Sequence, residues 1–282
     1  MYDSLFQQLT HRSKDSHKYN FGHVLIVGGS SGMVGAPFLA ARAAMRVGAG
    51  LATIASDKRV VDKLERRVEE IMTLAVATDS AQSATIVDDY IQARHVSVLL
   101  IGSGLTEAAT PLALALLKTI SLPTIIDGGG LTIAAQHMDI LHKRAAKHLV
   151  LTPHMGELGR FFQQPLSKSQ AAVLPILKEF AQSQNLTLVI KGPNTHTITP
   201  NGKIHQNNTG GPALATAGSG DVLAGMIAGL IAQKVPPEEA AAAAVYLHGL
   251  AGDLATKELT EPGVIAPDII DYIPQALHEI TS

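Results

Sequence analysis

Short runs of apolar residues alternate along this chain with longer segments that carry the mixed pattern of helices. Strands of a parallel sheet have such continuous apolar runs because helices cover both of their faces. The runs predict strands over His23–Val27, Leu51–Ala55, Val96–Ile101, Pro123–Ile126, Leu149–Leu151 and Leu186–Ile190. We therefore expect an α/β fold with a mostly parallel central sheet, helices on both faces and ligands at the carboxyl ends of the strands.

One local pattern departs from this alternation. Thr195–Thr199 and Lys203–Gln206 flank Pro200-Asn201-Gly202, which is a favourable turn for a β-hairpin. The sheet is therefore expected to carry an antiparallel pair after its last parallel strand. Helices are predicted at about Ala36–Val47, Gly220–Gln233 and Pro237–Lys257, with a last one starting near Pro267. No low-complexity linker or internal repeat divides the chain, so we predict a single domain over residues 1–282.

Composition narrows the classes of function. Apolar residues make up 46% of the 282 residues and aromatic residues only 4%, so Ala, Val, Ile and Leu must build the core. The net charge is −2 and no basic block stands out, which argues against a nucleic-acid partner. The absence of cysteine excludes disulfides and thiolate metal sites. Without a signal peptide or a long apolar stretch, we expect a cytoplasmic protein with no membrane contact.

The strongest local motif is Ala217-Gly218-Ser219-Gly220-Asp221 at the start of a predicted helix. Small residues leave the first amides of a helix uncovered, and these amides together with the helix dipole favour a phosphate. Asp221 at the mouth of this anion hole is a candidate base for a hydroxyl that attacks phosphorus. The alternative is that Asp221 only caps the helix. The helix dipole is expected to lower the pKa of Asp221.

Two further strand ends carry candidate polar groups. Lys191-Gly192-Pro193-Asn194-Thr195 could hold phosphate through Lys191, or could be an ordinary turn with a solvated lysine. At the next junction, Thr152 is expected to cap a helix, while His154 and Glu157 could face one ligand or water. Two ligands at one junction do not make a metal centre, so we predict no metal-ligating residues.

Two other segments favour structural interpretations. Gly28–Gly32 follows a strand but lacks a proper dinucleotide fingerprint, and the chain has no Walker phosphate loop. His248 lies on a predicted helix rich in small residues, where it is expected to be a hydrogen-bonded histidine of the core or its rim.

Taken together and in this order, the segments resemble the ADP/ATP-dependent NAD(P)H-hydrate dehydratases, a branch of the ribokinase-like superfamily. The resemblance runs from His17 to Pro274. The stretches that carry it are His17-Lys18, Gly22–Leu25, Gly28–Ser30, Gly32-Met33, Gly35-Ala36, Ala40–Ala44, Gly48–Leu51, Leu151–His154, Lys191-Gly192, Gly218–Gly225 and Tyr246–Asp253.

The chain also departs from the family pattern at three strand ends. The common Gly-Pro-Gly-Leu is Gly102-Ser103-Gly104-Leu105, and Asp-Ala-Asp-Ala-Leu is Asp127-Gly128-Gly129-Gly130-Leu131. The usual His-Pro-Gly-Glu is His154-Met155-Gly156-Glu157. Small residues remain at the sheet edge, but details of substrate binding are expected to differ.

The resemblance implies a hydro-lyase that restores NADH or NADPH from its (6S)-hydrate with ADP or ATP. By that resemblance Asp221 is the catalytic base, and Ala36, Gly104, His154 and Asp221 bind the hydrate. The nucleotide site is expected at Lys191, Gly192, Pro193, Asn194, Thr195, Gly218, Ser219 and Gly220. Asp127 is a weaker candidate near phosphate or metal.

The resemblance also implies Mg²⁺ on the nucleotide phosphates and a homo-oligomer, often a tetramer. This chain is too short to include the N-terminal epimerase domain of many family members, so we expect a separate epimerase. The sequence leaves ADP or ATP and NADH or NADPH hydrate open, although bacterial stand-alone members resemble ADP users.

Two other functions remain open. A ribokinase-like kinase of a small alcohol or vitamin precursor would use the same aspartate and anion hole, but Thr152-Pro153-His154 and Gly32–Ala44 favour the dehydratase. A non-catalytic nucleotide-binding protein would not need Asp221.

Overall fold

The computed structural model describes residues 2–164, 166 and 170–282. Within this part of the chain, nine strands form one sheet in the order β3-β2-β1-β4-β5-β6-β7-β8-β9. Strands β1 to β7 are parallel to their neighbours, and β8 and β9 add an antiparallel hairpin at one edge. The mostly parallel sheet with a late antiparallel pair is confirmed.

The strands are β1 His23–Val27, β2 Leu51–Ser56, β3 Met72–Ala75, β4 Val98–Ile101, β5 Thr124–Ile126, β6 Leu149–Leu151, β7 Thr187–Ile190, β8 His196–Ile198 and β9 Ile204–Gln206. The helices are α1 Asp3–Thr10, α2 Gly35–Arg46, α3 Lys58–Leu64, α4 Ser83–Arg94, α5 Thr110–Thr119, α6 Gly129–Gln136, α7 Asp139–Lys143, α8 Met155–Phe161, α9 Gln170–Ser183, α10 Ser219–Ala232, α11 Pro237–Leu259 and α12 Ala266–Thr281. No described helix is both long enough and apolar enough to cross a membrane.

The predicted strands are all present, and each bound lies within two residues of its predicted position. Strand β3 was not predicted. It contains Thr73 and is only partly buried at the edge of the sheet, so its sequence lacks a continuous apolar run. Whether residues 1–282 form a single domain stays a prediction.

The register of the central strands lines up their carboxyl ends. Val27 pairs with Ile101, Ile101 with Ile126, and Ile126 with Leu151. The residues that follow these four strands therefore emerge side by side, and they are Gly28, Gly102, Asp127 and Thr152. An isolated bridge between His154 and Lys191 continues this edge to the end of β7. The fold thus gathers side chains that are far apart in the sequence.

Each face of the sheet has its own apolar core. Residues of α2, α10, α11 and α12 cover one face, and residues of α4, α5, α6, α8 and α9 cover the other. Helices α2 and α10 pack with backbone against backbone. A Cβ atom at Gly225 would lie 2.1 Å from the Ala40 carbonyl oxygen, and one at Gly229 would lie 2.7 Å from that of Ala44. Because those contacts leave no space for a side chain, glycine is needed at both positions.

Candidate functional site

The start of α10 provides the anion hole expected from the glycine motif. Gly218 precedes the helix in the left-handed conformation with φ +88°, which glycine adopts without strain. Asp221 is the third residue of α10, and Gly218, not Asp221, is its N-cap. The first amides of a helix have no acceptor within the helix. The Ser219 amide donates to the Thr216 carbonyl at 3.3 Å, which leaves those of Gly220 and Asp221 for an anion.

Lys191 lies over this helix terminus. Its Nζ is 3.2 Å from the position that a Cβ atom of Gly220 would occupy, so Gly220 keeps the space that the lysine needs. The same Nζ donates to Asp127 Oδ1 at 2.8 Å and lies 3.8 Å from Glu157 Oε2. Lys191 is therefore not the solvated lysine of an ordinary turn.

Asp127 organises the floor of the site. It is 3% exposed, and its Oδ1 accepts hydrogen bonds from Lys191 Nζ and from the Thr152 hydroxyl, the latter at 2.6 Å. The buried carboxylate is thus compensated by one cation and one hydroxyl, as buried charges require. The expectation that Thr152 caps a helix is wrong, because its hydroxyl bonds to Asp127 and to the Ile126 carbonyl instead.

The electrostatics of Asp221 also differ from the expectation. Burial, followed by the negative charge of Asp127, raises the pKa of Asp221 to about 6. The Ser103 hydroxyl and the positive charge of Lys191 act in the opposite direction but do not cancel the rise. The prediction of a lowered pKa is therefore wrong, since it considered the helix dipole alone. A carboxylate with a pKa near 6 is ionised at neutral pH yet more basic than an exposed aspartate.

Lys191 remains a cation despite its burial. Burial lowers its pKa, but the carboxylates of Asp127, Glu157 and Asp221 outweigh that effect and the pKa is raised. The site thus combines one ammonium group with three carboxylates. This arrangement suits an added ligand that brings its own cation or that replaces a carboxylate as the partner of Lys191.

His154 and Glu157 form the cap of α8. His154 is the N-cap, and its Nδ1 accepts from the amides of Gly156 at 2.9 Å and Glu157 at 3.2 Å. Glu157 Oε2 accepts in return from the His154 amide at 2.8 Å. Because Nδ1 is an acceptor, the proton of the neutral ring is on Nε2, and the half-exposed imidazole presents that N–H group at the strand edge.

His248 supports the start of α10 from behind. It is 6% exposed, and its Nε2 lies 3.2 Å from the Ser219 hydroxyl. Burial lowers the pKa of His248 to about 4, so the ring is neutral. This agrees with its interpretation as a hydrogen-bonded histidine of the core.

Two of the residues expected at the hydrate are neighbours, one at the start of α2 and the other on the loop after β4. Gly104 has φ +71°, and a Cβ atom there would lie 3.0 Å from that of Ala36. Ala36 and Gly104 are therefore adjacent, although 68 positions separate them in the sequence. His154 is placed differently, since it shares a cavity with the Lys191 segment.

A cavity opens on each side of the Lys191–Thr195 segment. One has a volume of about 640 Å³ and is lined by His154, Lys191, Gly192, Pro193 and Asn194. The other has a volume of about 540 Å³ and lies between the β8–β9 hairpin and α11, where Asn194, Gln206, Asn207 and Tyr246 line it.

No group of three or more His, Asp or Glu side chains in residues 2–164, 166 and 170–282 could hold a metal ion. Asp127 and Glu157 are nevertheless close to the anion hole, because both are near Lys191 Nζ. No strong sequence signal indicated the Asp127–Lys191 pair or Thr152 as its third member. The register of three parallel strands brings them together.

Comparisons with known proteins agree with this geometry. Residues 24–275 match the family model described as NAD(P)H-hydrate dehydratase. The chain is 39% identical over 280 residues to a bifunctional NAD(P)H-hydrate repair enzyme of Moorella thermoacetica, covering 97% of this chain and 52% of that protein. It thus spans about half the length of that relative. An ADP-dependent (S)-NAD(P)H-hydrate dehydratase of Neisseria meningitidis is 34% identical, with 86% and 80% covered.

Solved structures extend the likeness to three dimensions. The ADP/ATP-dependent NAD(P)H-hydrate dehydratase of Bacillus subtilis, co-crystallised with ATP and Mg²⁺, superposes with a TM-score of 0.79. It is 29% identical, and 99% of this chain and 97% of that chain are covered. The fold is accordingly ribokinase-like, as expected.

Proposed function

Because this chain belongs to the NAD(P)H-hydrate dehydratase family, we propose that it dehydrates the (6S)-hydrate of NADH or NADPH with ADP or ATP as co-substrate. The observation that carries the proposal is the placement of Asp221 and Lys191 at the uncovered amides of α10. A base, a cation and backbone donors at one point are what phosphoryl transfer to a hydroxyl requires.

Asp221 accepts the proton of the substrate hydroxyl at C6 while the terminal phosphoryl group of the nucleotide moves to that oxygen, and AMP leaves from ADP or ADP leaves from ATP. Loss of phosphate from C6 and of a ring proton then restores the reduced nicotinamide. The amides of Gly218, Ser219 and Gly220 bind the transferring phosphate, for which the Ser219 amide exchanges its 3.3 Å hydrogen bond to the Thr216 carbonyl. Lys191 adds a positive charge. The raised pKa supports this role, since a stronger base accepts a proton more readily.

We place the nucleotide along Lys191, Gly192, Pro193, Asn194 and Thr195. Its base would enter the cavity between the β8–β9 hairpin and α11, which Asn194 and Asn207 help to line. A crystal soaked with AMP tests this placement. Nucleotide bound on Gly28–Gly32 would contradict it.

The hydrate would approach from the start of α2 at Ala36 and the loop that carries Gly104. His154 would lie at the margin, and Asp221 would contact the hydroxyl of the hydrate. His154→Ala is expected to weaken use of the hydrate more than binding of the nucleotide. Titration of this variant with each ligand measures the two affinities. Equal losses would remove His154 from the hydrate site and assign it to the cavity that it shares with Lys191.

Magnesium would enter the site together with the nucleotide phosphates, because the described side chains form no metal-binding group on their own. The residues that would hold it are Asp127 and Glu157, and the ion would neutralise phosphate charge. A homo-oligomer such as a tetramer, a cytoplasmic location and a separate epimerase also belong to the proposal.

The decisive assay incubates the protein with NADH hydrate, Mg²⁺ and either ADP or ATP, and follows the absorbance of regenerated NADH. NADH is expected with one or both nucleotides and not without nucleotide. Phosphorylation of a small alcohol without any NADH would favour the kinase alternative. Nucleotide binding with no turnover of either kind would favour a binding protein.

A further inference from the structure

Aromatic side chains are scarce in this protein, yet two of them line one cavity. The chain contains five tyrosines, six phenylalanines and no tryptophan. Tyr2 and Tyr246 both line the cavity of about 540 Å³ between the β8–β9 hairpin and α11. Their ring centroids lie 5.7 Å apart with a tilt of 51° between the planes. At this separation the two rings contact each other, so together they form an aromatic wall of the cavity.

Helix α1 holds Tyr2 at the cavity. Tyr2 is the N-cap of α1, and Phe6 one turn later is fully buried where α1 packs against α12. The Phe6 amide donates to the Tyr2 carbonyl at 3.0 Å, and the two rings meet edge to face with their centroids 6.4 Å apart. The position of Tyr2 is therefore set by the buried side of its helix.

Side-chain amides line the same cavity as the aromatic wall. They belong to Asn194, Gln206, Asn207 and Asn208. Asn207 is fixed in place, because its Nδ2 donates to the Thr209 carbonyl at 2.8 Å. An amide side chain both donates and accepts hydrogen bonds, which matches the ring nitrogens and the amino group of a nucleobase. Aromatic rings add a surface on which a base can stack, so the cavity combines the two kinds of group that recognise a base.

Charge determines which end of a nucleotide this cavity receives. Asn194 also lines the cavity at Lys191, so the positive charge lies on that side. Tyr2 also lines a further cavity of about 710 Å³, whose charged side chains include two glutamates and one lysine. That side repels phosphate but not an uncharged base. Burial and the negative charge of Glu239 raise the pKa of Tyr2, so its ring carries no charge either.

We propose that Tyr2 and Tyr246 bind the adenine base of the nucleotide by packing their rings against it. The inference rests on the proposed function, which places a nucleotide along residues 191–195, and it adds a contact from α1 to that site. Neither tyrosine touches the reacting atoms. Both residues therefore act on the affinity for the nucleotide and not on the chemical step.

The test compares Tyr2→Ala with Tyr2→Phe, which keeps the ring. Tyr246→Leu removes the other ring from α11, so it provides a measurement that does not depend on the docking of α1. Tyr19→Ala is the matched control, because Tyr19 is an exposed tyrosine whose ring meets His95 away from the cavity. Calorimetry measures the affinity for AMP. Saturation-transfer NMR compares the protons on the adenine ring of AMP with those on its ribose.

In Tyr2→Ala and in Tyr246→Leu the affinity for AMP is expected to fall about tenfold, as for the loss of one ring that stacks on a base. Saturation of the adenine protons should fall relative to that of the ribose protons. Tyr2→Phe and Tyr19→Ala should match the parent protein.

Unchanged affinity in either variant that lacks a ring overturns the proposal. An unchanged ratio of adenine to ribose saturation, or an equal loss of affinity in Tyr2→Phe or Tyr19→Ala, does so as well, and so does a parent protein that binds no AMP. If the parent protein binds AMP through these rings but forms no NADH from the hydrate, the proposed function fails while the contact with the base stands.

Discussion

Two glycine-rich loops at one edge of the sheet differ sharply in charge. Gly218–Asp221 lies beside Lys191, and through it beside Asp127 and Glu157. Gly28–Gly32 follows β1, and the atoms nearest to its glycines belong to Ser103, Pro37, Val60 and Ser56, none of which carries a charge. Both loops lead towards a helix, so glycine content alone does not identify a phosphate site.

The difference also extends to the backbone amides. The Gly28 and Gly29 amides already donate to the carbonyls of Ala55 and Ser103, so they are not available to an anion. Of the first-turn amides of α10, that of Ser219 donates to the Thr216 carbonyl at 3.3 Å, whereas those of Gly220 and Asp221 have no acceptor within the helix. The Gly218–Asp221 loop is therefore surrounded by charged side chains, whereas the Gly28–Gly32 loop has uncharged neighbours. The following experiments probe that contrast, beginning with the largest expected effect.

Asp221→Asn should reduce turnover of NADH hydrate by about 10²–10⁴-fold, as expected for loss of a general base. Nucleotide affinity should stay close to that of the parent protein, because the amides of the anion hole remain. Steady-state kinetics and calorimetric binding of ADP measure the two effects. Turnover close to the parental rate would remove Asp221 from the role of base and leave the charged loop with a binding role only.

Lys191→Met should lower the free energy of unfolding by about 3–5 kcal/mol, because it leaves the buried Asp127 carboxylate without its cation. It should also weaken nucleotide binding. Lys203→Met on the exposed side of the hairpin is the control and should change neither quantity. Urea unfolding monitored by circular dichroism gives the stability. An equally small loss of unfolding free energy in both variants would mean that Lys191 does not stabilise the buried Asp127 carboxylate.

The charge of Asp221 should itself cost stability. Its pKa of about 6 in the folded protein exceeds the value of about 3.9 for an unfolded chain. The ionised form is therefore disfavoured by folding, and stability is lost as the pH rises from about 4 through 6. Asp221→Asn should be more stable than the parent by about 3 kcal/mol at pH 8, with the difference vanishing near pH 4. If the asparagine variant is less stable at pH 8, the dominant role of Asp221 is structural.

Asp127→Asn should move the acid limb of the kcat/KM profile to lower pH. Removal of the Asp127 charge lowers the pKa of Asp221, and the released Lys191 acts in the same direction. The pH profile with NADH hydrate checks the sign. A shift to higher pH would show that Asp127 does not influence Asp221 through its charge.

Ser30→Ala in the neutral loop should have the smallest effect. It removes an unpaired buried hydroxyl but no charge, so the acid limb should stay where it is in the parent protein. Any change should be confined to KM for the hydrate. A moved acid limb in this variant would mean that the two loops are electrostatically coupled.

Local patterns predicted most of the sheet but only part of the site. His23–Val27 and Leu149–Leu151 were predicted to the residue, because buried parallel strands leave continuous apolar runs. The glycine motif correctly indicated the start of a helix just before Asp221, whereas binding of an anion there stays a prediction. These features depend on residues that are close together in the sequence, so the local sequence is enough to predict them.

The errors concern contacts between distant segments. Threonine is a residue type that often caps helices, yet the Thr152 hydroxyl bonds to Asp127, 25 positions away. The pKa of Asp221 depends on burial and on a carboxylate from another strand, which outweigh the local helix dipole. Hydrogen bonds and pKa shifts of this kind can be predicted only once the order of the strands is known.

The packing of α2 on α10 also determines how Asp221 is oriented around the axis of its helix. Ala40 lies one helical turn after Ala36, and Gly225 lies one turn after Asp221, so the Ala40–Gly225 contact matches the two helices turn for turn. The Ala44–Gly229 contact repeats the match one turn further on. Together the two contacts fix the register of α2 against α10. A slip of one residue would rotate Asp221 by about 100° around its helix, so a change in substrate size has to be accommodated by the loops while the two helices keep their phase.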